Sequence, residues 1–214
     1  TQRWFQMLGI PVYQIYGLTE TSAIISIDTP DQVQAGRVGP MISGIETKLG
    51  DGAELLVRGP HIFSRYWNRP EATEAAFHEG WFRTGDCVDI DAKGNLKIIG
   101  RVKNLLIPTS GHNVAPEPIE QQVVETIEGV EQAVLIGHGR AFITAIITGD
   151  LSPEQLETGI KGVNATIPHY RRIRTFHHAS ELFTIENGLL TANSKIRRAA
   201  IEDAYQTEIE AMYA

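Results

Sequence analysis

Apolar and polar positions along the chain follow two different rhythms. Residues 1–8 place Trp4, Phe5 and Leu8 on one helical face, and Gly9 ends that helix. Residues 11–16, Pro-Val-Tyr-Gln-Ile-Tyr, predict a short buried strand. An uncapped helix feeding straight into a core strand looks like a cut through a larger domain. Residues 53–58 predict a strand that enters the Gly59-Pro60 turn. Pro70 opens a short helix over 70–77 with acids close behind. A strand over 95–99 follows the turn Asp91-Ala92-Lys93-Gly94. This is the spacing of a mostly β region.

After residue 115 the rhythm changes. A helix is expected over 116–127, with Glu117 and Glu120 near its positive end. Residues 131–137 and 141–148 predict adjacent strands joined by His138-Gly139-Arg140. Ser152-Pro153-Glu154-Gln155 is a capping box that opens another helix. Residues 174–178 read as a strand. Residues 196–213 read as one last helix, with Ile201, Tyr205, Ile209 and Met212 at helical spacing. Helices alternating with strands predict a small α+β domain. The boundary between the two regions is expected near Gly100-Arg101-Val102-Lys103.

Composition narrows the classes. The 214 residues are 42% apolar and 21% charged, which suits a folded globular chain rather than a disordered one. A formal net charge of −7 gives no overall case for nucleic acid. Local basic runs exist at Tyr170-Arg171-Arg172-Ile173-Arg174 and at Lys195 with Arg197 and Arg198; the plain reading of both is a solvated face. The single cysteine, Cys87, excludes a disulfide framework within the chain and suits a reducing compartment. It sits beside an apolar position and reads as a buried strand residue. No apolar run is long enough to span a bilayer, and peripheral membrane contact stays open.

Four clusters carry candidate chemistry. In Tyr16-Gly17-Leu18-Thr19-Glu20-Thr21 an apolar strand ends in an aromatic, a glycine, a hydroxyl and a carboxylate. The ring offers a flat face to a base, the glycine lets the backbone turn tightly and approach a ligand, Thr19 can bond a phosphate oxygen, and Glu20 can hold a hydrated Mg²⁺. In Thr84-Gly85-Asp86 a carboxylate follows a tight turn and can accept from a ribose diol. Arg101 can reach the same ribose or a phosphate, and the Ser110-Gly111 turn can let a narrow ligand pass close to the backbone. The loop over 186–194 delivers Lys195 just before a helix, and an ammonium is a good point charge for phosphate. Each pattern also has a plain reading: a strand-to-loop turn, a capped turn, a charged linker and a solvated lysine.

Taken in order, these residues resemble one family. Tyr16-Gly17-Leu18-Thr19-Glu20, then Glu54-Leu55-Leu56-Val57-Arg58-Gly59-Pro60 running to Tyr66-Trp67, then Thr84-Gly85-Asp86, Gly100-Arg101 and Lys195, follow the order and spacing of the AMP-binding, or adenylate-forming, synthetases. That superfamily includes acyl-CoA synthetases, peptide-synthetase adenylation domains and luciferases. Asn187-Gly188-Leu189-Leu190-Thr191, with Val114-Ala115-Pro116-Glu117-Pro118-Ile119-Glu120, looks most like long-chain fatty acyl-CoA synthetases. The resemblance covers nearly the whole chain.

The resemblance implies an α/β fold. Residues 1–102 would be the mostly β C-terminal portion of a large AMP-binding domain, and 103–214 a small mobile α+β domain. It implies a fatty acid or other carboxylate, ATP, Mg²⁺ and CoA as reactants, and a cytoplasmic setting. Tyr16 would stack on adenine beside Gly17, Thr19 would contact the α-phosphate, and Glu20 would help hold Mg²⁺. Asp86 would bind the ribose hydroxyls with Arg101 assisting. Lys103 would be the hinge, Gly111 would line the CoA path, and Lys195 would bridge the reacting carboxylate and the α-phosphate.

Where many members have glycine before the lysine, this chain has Ser194. The family's phosphate loop lies upstream of Thr1, so the isolated chain is expected to need that region for turnover. Two other readings fit the same residues. One is a fatty acyl-AMP ligase serving a carrier protein, which the lack of an insertion between Asp86 and Pro116 disfavours. The other is a non-catalytic module derived from the fold.

Overall fold

A computed structural model describes residues 2–214. It divides into two compact units, one ending at Lys103 and the other running Asn104–Ala214.

The first unit opens with α1 (Gln2–Met7), which stops before Gly9 at φ +73°. Strand β1 is only Ile15–Tyr16, paired antiparallel with β2 (Ser26–Ile27). The longer buried strand expected over 11–16 is therefore not formed. Gln14 instead takes the Asp28 carboxylate through its N–H at 2.8 Å, and Tyr13 and Ile15 are exposed. A five-stranded antiparallel sheet follows, built from β3 (Glu46–Leu49), β4 (Glu54–Arg58), β5 (Phe77–His78), β6 (Trp81–Ile90) and β7 (Leu96–Arg101). Helix α2 (Pro70–Ala76) precedes β5 and starts on Pro70, where a missing N–H costs nothing. The core comprises Ile25, Leu55, Val57, Phe82, Val88 and Leu96, all buried. Cys87 is buried on β6, as its neighbours suggest.

The largest surprise is β6. Thr84-Gly85-Asp86 is not a turn between elements but a bulge in the middle of a ten-residue strand. Glu54 pairs with Cys87 and Leu56 with Arg83, so β6 carries two extra residues there. Gly85 has φ +71°, a conformation that glycine adopts without a Cβ penalty.

In the second unit, β8 (Val130–Ile136) and β9 (Ile143–Gly149) are antiparallel, and β10 (Ile173–Ala179) joins β9 in parallel. The three-stranded sheet is covered on both faces. Ala133, Leu135, Ala145 and Ile147 face α3 (Glu117–Thr126) and α4 (Pro153–Thr166), with Val123, Leu156, Ile160 and Val163 packed against them. Val134, Ile136 and Ile146 pack instead with Ile201 and Ile209 of α5 (Arg198–Ala204) and α6 (Gln206–Tyr213). Double coverage explains why Ala133-Val134-Leu135-Ile136 of β8 and Ala145-Ile146-Ile147 of β9 are unbroken apolar runs. The capping box of α4 is complete: Ser152 Oγ accepts from Gln155 N–H at 3.3 Å, and Gln155 Oε1 accepts from Ser152 N–H at 2.8 Å.

The last helix is not continuous. It starts at Arg198 rather than Ile196, because Ile196 bridges Leu190. It then breaks at Tyr205, where φ −110° and ψ 24° turn the ring towards Phe183 and His177. Arg198 also departs from the solvated-face reading. Its guanidinium meets Glu120 at 2.8 Å and donates to the Leu135 carbonyl at 2.7 Å, while Glu120 accepts from Leu135 N–H at 2.7 Å. Burial pushes the Glu120 carboxyl up, against the pull of Arg198 and the Leu135 amide. Removing one member of a buried pair strands the other charge. Arg198→Met is expected to lower stability by about 3–5 kcal/mol, read as a shift in urea midpoint at unchanged slope.

Candidate functional site

The bulge in β6 is built by buried polar groups. Glu54, 4% exposed, accepts from Gly85 N–H at 3.1 Å through one oxygen and from the Arg83 guanidinium at 3.0 Å through the other. Thr84 Oγ1 donates to the Leu55 carbonyl at 2.7 Å and accepts from Asp86 N–H at 3.1 Å. The N–H groups of Gly85 and Asp86 therefore have side-chain partners, which buried donors in an irregular stretch need. Their effect is to turn Asp86 towards β1 and β7.

Asp86 is 4% exposed, and both of its oxygens are taken. Oδ2 accepts from the Tyr16 hydroxyl at 2.6 Å, and Oδ1 meets Arg101 Nε at 2.8 Å. Arg101 is the cross-strand partner of Asp86, and its side chain is half exposed. Burial first, and the neighbouring Asp86 carboxylate second, push the Tyr16 phenol far above its ordinary range. It therefore donates throughout the physiological range. The Tyr16 ring packs against the core of its unit.

Gly17 has a local reason to be glycine. A Cβ there would lie 2.0 Å from the Ala23 carbonyl oxygen. The close approach anticipated for a ligand is made by the chain itself, which doubles back through Ser22 and Ala23 at φ 51° and 77°. Thr19 and Glu20 sit on the intervening 3-10 turn, Thr19–Thr21. Thr19 is exposed, and Glu20 is half-buried with Oε1 accepting from the Tyr66 hydroxyl at 2.7 Å. That bond and the charge beside it, with some burial, raise the Tyr66 phenol to about 12.

Tyr16, Gly17, Thr19, Glu20, Asp86 and Arg101 all belong to the first unit. Lys103 ends that unit on a 3-10 turn and is exposed. Gly111 and Lys195 belong to the second unit. Gly111, at φ +78°, closes a turn by donating to the Pro108 carbonyl at 2.9 Å, and the space beside its Cα is open.

Lys195 stands at the tip of a closed hairpin. Leu190 bridges Ile196, and Thr191 N–H donates to the Lys195 carbonyl at 2.8 Å. Lys195 N–H donates to Thr191 Oγ1 at 3.1 Å. Leu189 is buried and anchors one arm, and Asn187 Oδ1 accepts from Thr184 N–H at 2.9 Å at the base. The Lys195 side chain is exposed and makes no ion pair among the described residues.

Reading by sequence missed Glu54 and Arg83 as the fasteners of the bulge and Tyr66 as the partner of Glu20. A carboxylate opening the apolar run Glu54-Leu55-Leu56-Val57 was the available signal for the first. Nothing local to Tyr66 pointed to Glu20.

Tyr16→Phe leaves Asp86 Oδ2 without its donor. We expect a loss of about 1.5–3 kcal/mol, the usual worth of a hydrogen bond to a charged group, measured by urea unfolding.

The comparisons with known proteins follow the same division. Residues 1–67 match the model of the AMP-binding enzymes, and residues 103–214 match that of the AMP-binding enzyme C-terminal domain. The long-chain-fatty-acid–CoA ligase FadD15 of Mycobacterium bovis is 33% identical over 98% of this chain, which spans 39% of that protein. The human long-chain-fatty-acid–CoA ligase 6 is 30% identical over 96% of the chain, which spans 35% of it. Among solved structures, o-succinylbenzoate CoA synthetase (MenE) of Bacillus subtilis in complex with its acyl-adenylate intermediate, OSB-AMP, superposes with a TM-score of 0.77 at 26% identity, covering 94% of this chain and 43% of that one. ATP-bound MatB from Rhodopseudomonas palustris gives 0.73 at 27% identity over 95% of this chain and 42% of that one. With more than half of its residues matched by the C-terminal-domain model, the chain belongs to the AMP-binding enzymes.

Proposed function

We propose that this chain is the C-terminal part of a long-chain fatty acyl-CoA ligase. Residues 1–102 would complete the large AMP-binding domain, and 103–214 would form the small domain that brings Lys195 to the reaction. A fatty carboxylate attacks the α-phosphate of ATP, forming an acyl-adenylate and releasing pyrophosphate. The CoA thiol then attacks the acyl carbonyl, forming the thioester and releasing AMP. The observation that carries this reading is the Lys195 hairpin: an exposed ammonium on a hydrogen-bonded tip, within a domain of this family. Charge grows on the α-phosphate and the leaving pyrophosphate during attack, and a positioned cation stabilises it.

The first unit supplies the nucleotide contacts in this reading. Asp86 binds the ribose hydroxyls. Two of a carboxylate's roughly four lone-pair sites are already used, which leaves about two for the sugar hydroxyls. The half-exposed Arg101 keeps the other oxygen fixed and can reach sugar or phosphate. Tyr16 offers its ring to adenine, and the exposed Thr19 offers its hydroxyl to the α-phosphate.

The donor set around Glu20 fits Mg²⁺. Among the described residues no three His, Cys, Asp or Glu side chains converge as a cage. Glu20 Oε2 takes no hydrogen bond among the described residues. One carboxylate plus nucleotide phosphates and water is the usual environment of this ion. Bound there, it would neutralise phosphate charge. Gly111 would border the path of the CoA arm, and Lys103 would be the pivot between half-reactions. The single buried cysteine accords with a cytoplasmic enzyme.

In the full-length enzyme, Lys195→Ala should slow ATP–pyrophosphate exchange by about 10²–10³. Thioester formation from supplied acyl-adenylate should persist. Unchanged exchange would sink the assignment. Lys103→Pro, which fixes a backbone torsion, should slow the thioester step more than adenylation. Equal slowing of both steps would remove the pivot.

A further inference from the structure

The loop after β4 runs back along the turn that carries Glu20 and is fastened to it at three points. Phe63 N–H donates to the Glu20 carbonyl at 2.8 Å, Ser22 Oγ donates to the His61 carbonyl at 2.8 Å, and the Tyr66 hydroxyl donates to Glu20 Oε1 at 2.7 Å. Tyr66 is itself held from elsewhere. Its N–H donates to Thr73 Oγ1 of α2 at 3.0 Å, and its ring meets Phe63 edge-on at 4.7 Å. Phe63 in turn stacks on Phe77 at 5.5 Å and meets Phe82 edge-on at 5.4 Å. Phe82 is buried in the core. The hydroxyl's place is thus set by the core and α2, independently of Glu20.

The chemistry of this donor matters as much as its place. A glutamate side chain on a short turn has three rotatable bonds, and one fixed donor selects among its rotamers. Tyrosine does so without adding charge, whereas lysine or arginine in its place would cancel the carboxylate's attraction for a cation. The arrangement holds one oxygen and leaves both the other oxygen and the full negative charge available.

We propose that Tyr66 is a positioning residue, holding Glu20 Oε1 so that Oε2 is presented to a divalent cation carried on nucleotide phosphates. This rests on the reading of Glu20 given above. Partners that orient a metal-binding side chain typically contribute about 10–100-fold in metal affinity.

Mn²⁺ is the probe, titrated by electron paramagnetic resonance against the full-length enzyme with ATP present and fatty acid omitted, so that binding is read without turnover. Tyr66→Phe keeps the ring packing and should weaken Mn²⁺ by about 10–100-fold. Glu20→Gln should weaken it too, and the double variant should be no weaker than Glu20→Gln alone. Wild-type affinity in Tyr66→Phe, or additive losses in the double variant, overturns the proposal and leaves the metal reading of Glu20 intact. Wild-type affinity in Glu20→Gln overturns that reading itself. Thermal midpoints check folding. Should Tyr66→Phe not fold, Thr73→Val releases the Tyr66 amide while keeping the hydroxyl; weaker Mn²⁺ binding supports the proposal, and unchanged binding overturns it.

Discussion

Asp86 lies buried with a phenol on one oxygen and a guanidinium on the other, and much of the first unit's local geometry follows from keeping it so. A buried carboxylate needs donors, because leaving it unmet costs far more than a hydrogen bond returns. Meeting that need requires β6 to depart from its regular pleat. The departure in turn exposes backbone groups, and Glu54 and Thr84 satisfy them from within the sheet. A second carboxylate thus sustains the irregularity that places the first. The second unit uses the same device once: Glu120 ties the N-terminal turn of α3 to β8 and to the first residue of α5.

These three carboxylates and Glu20 divide by what surrounds them. Glu54 and Glu120 are closed in by arginine and backbone N–H, so they act as fixed struts. Asp86 also meets an arginine, but its other oxygen takes a neutral phenol where Glu54 and Glu120 take a backbone N–H. Glu20 is the most open of the four, half-buried and with a single neutral donor among the described residues. Glu54, Glu120 and Asp86 are each under a tenth exposed, so the division in exposure falls between these three and Glu20.

Elements with strong periodicity were legible from the chain alone. The α4 capping box, the Pro70 helix and the paired strands β8 and β9 form within a few residues of their expected places. What the pattern obscured were features fixed by partners distant in sequence. Thr84-Gly85-Asp86 has the composition of a turn, and bonds to Glu54 and Leu55, some thirty positions earlier, hold it as a bulge. Arg198 has the composition of a surface helix start, and Glu120 with the Leu135 carbonyl holds it in. Residues 11–16 have a strand's composition but find just two residues to pair with. The candidate site shows the same split. The order of its motifs was readable, whereas the bonds from Tyr16 to Asp86 and from Tyr66 to Glu20 span 70 and 46 positions that no local rule connects.

Ser194 precedes Lys195 with φ +56°, a left-handed conformation that a side chain normally avoids. Its amide bonds back to the Thr191 carbonyl at 2.8 Å, so the hairpin holds it there. A glycine in that place would roam a wider range of backbone shapes whenever the tip opened. Serine narrows that repertoire and stiffens the tip. The backbone of Lys195 is held with it, its N–H on Thr191 Oγ1 and its carbonyl on the Thr191 amide, so chain entropy that a looser loop would keep has been given up during folding.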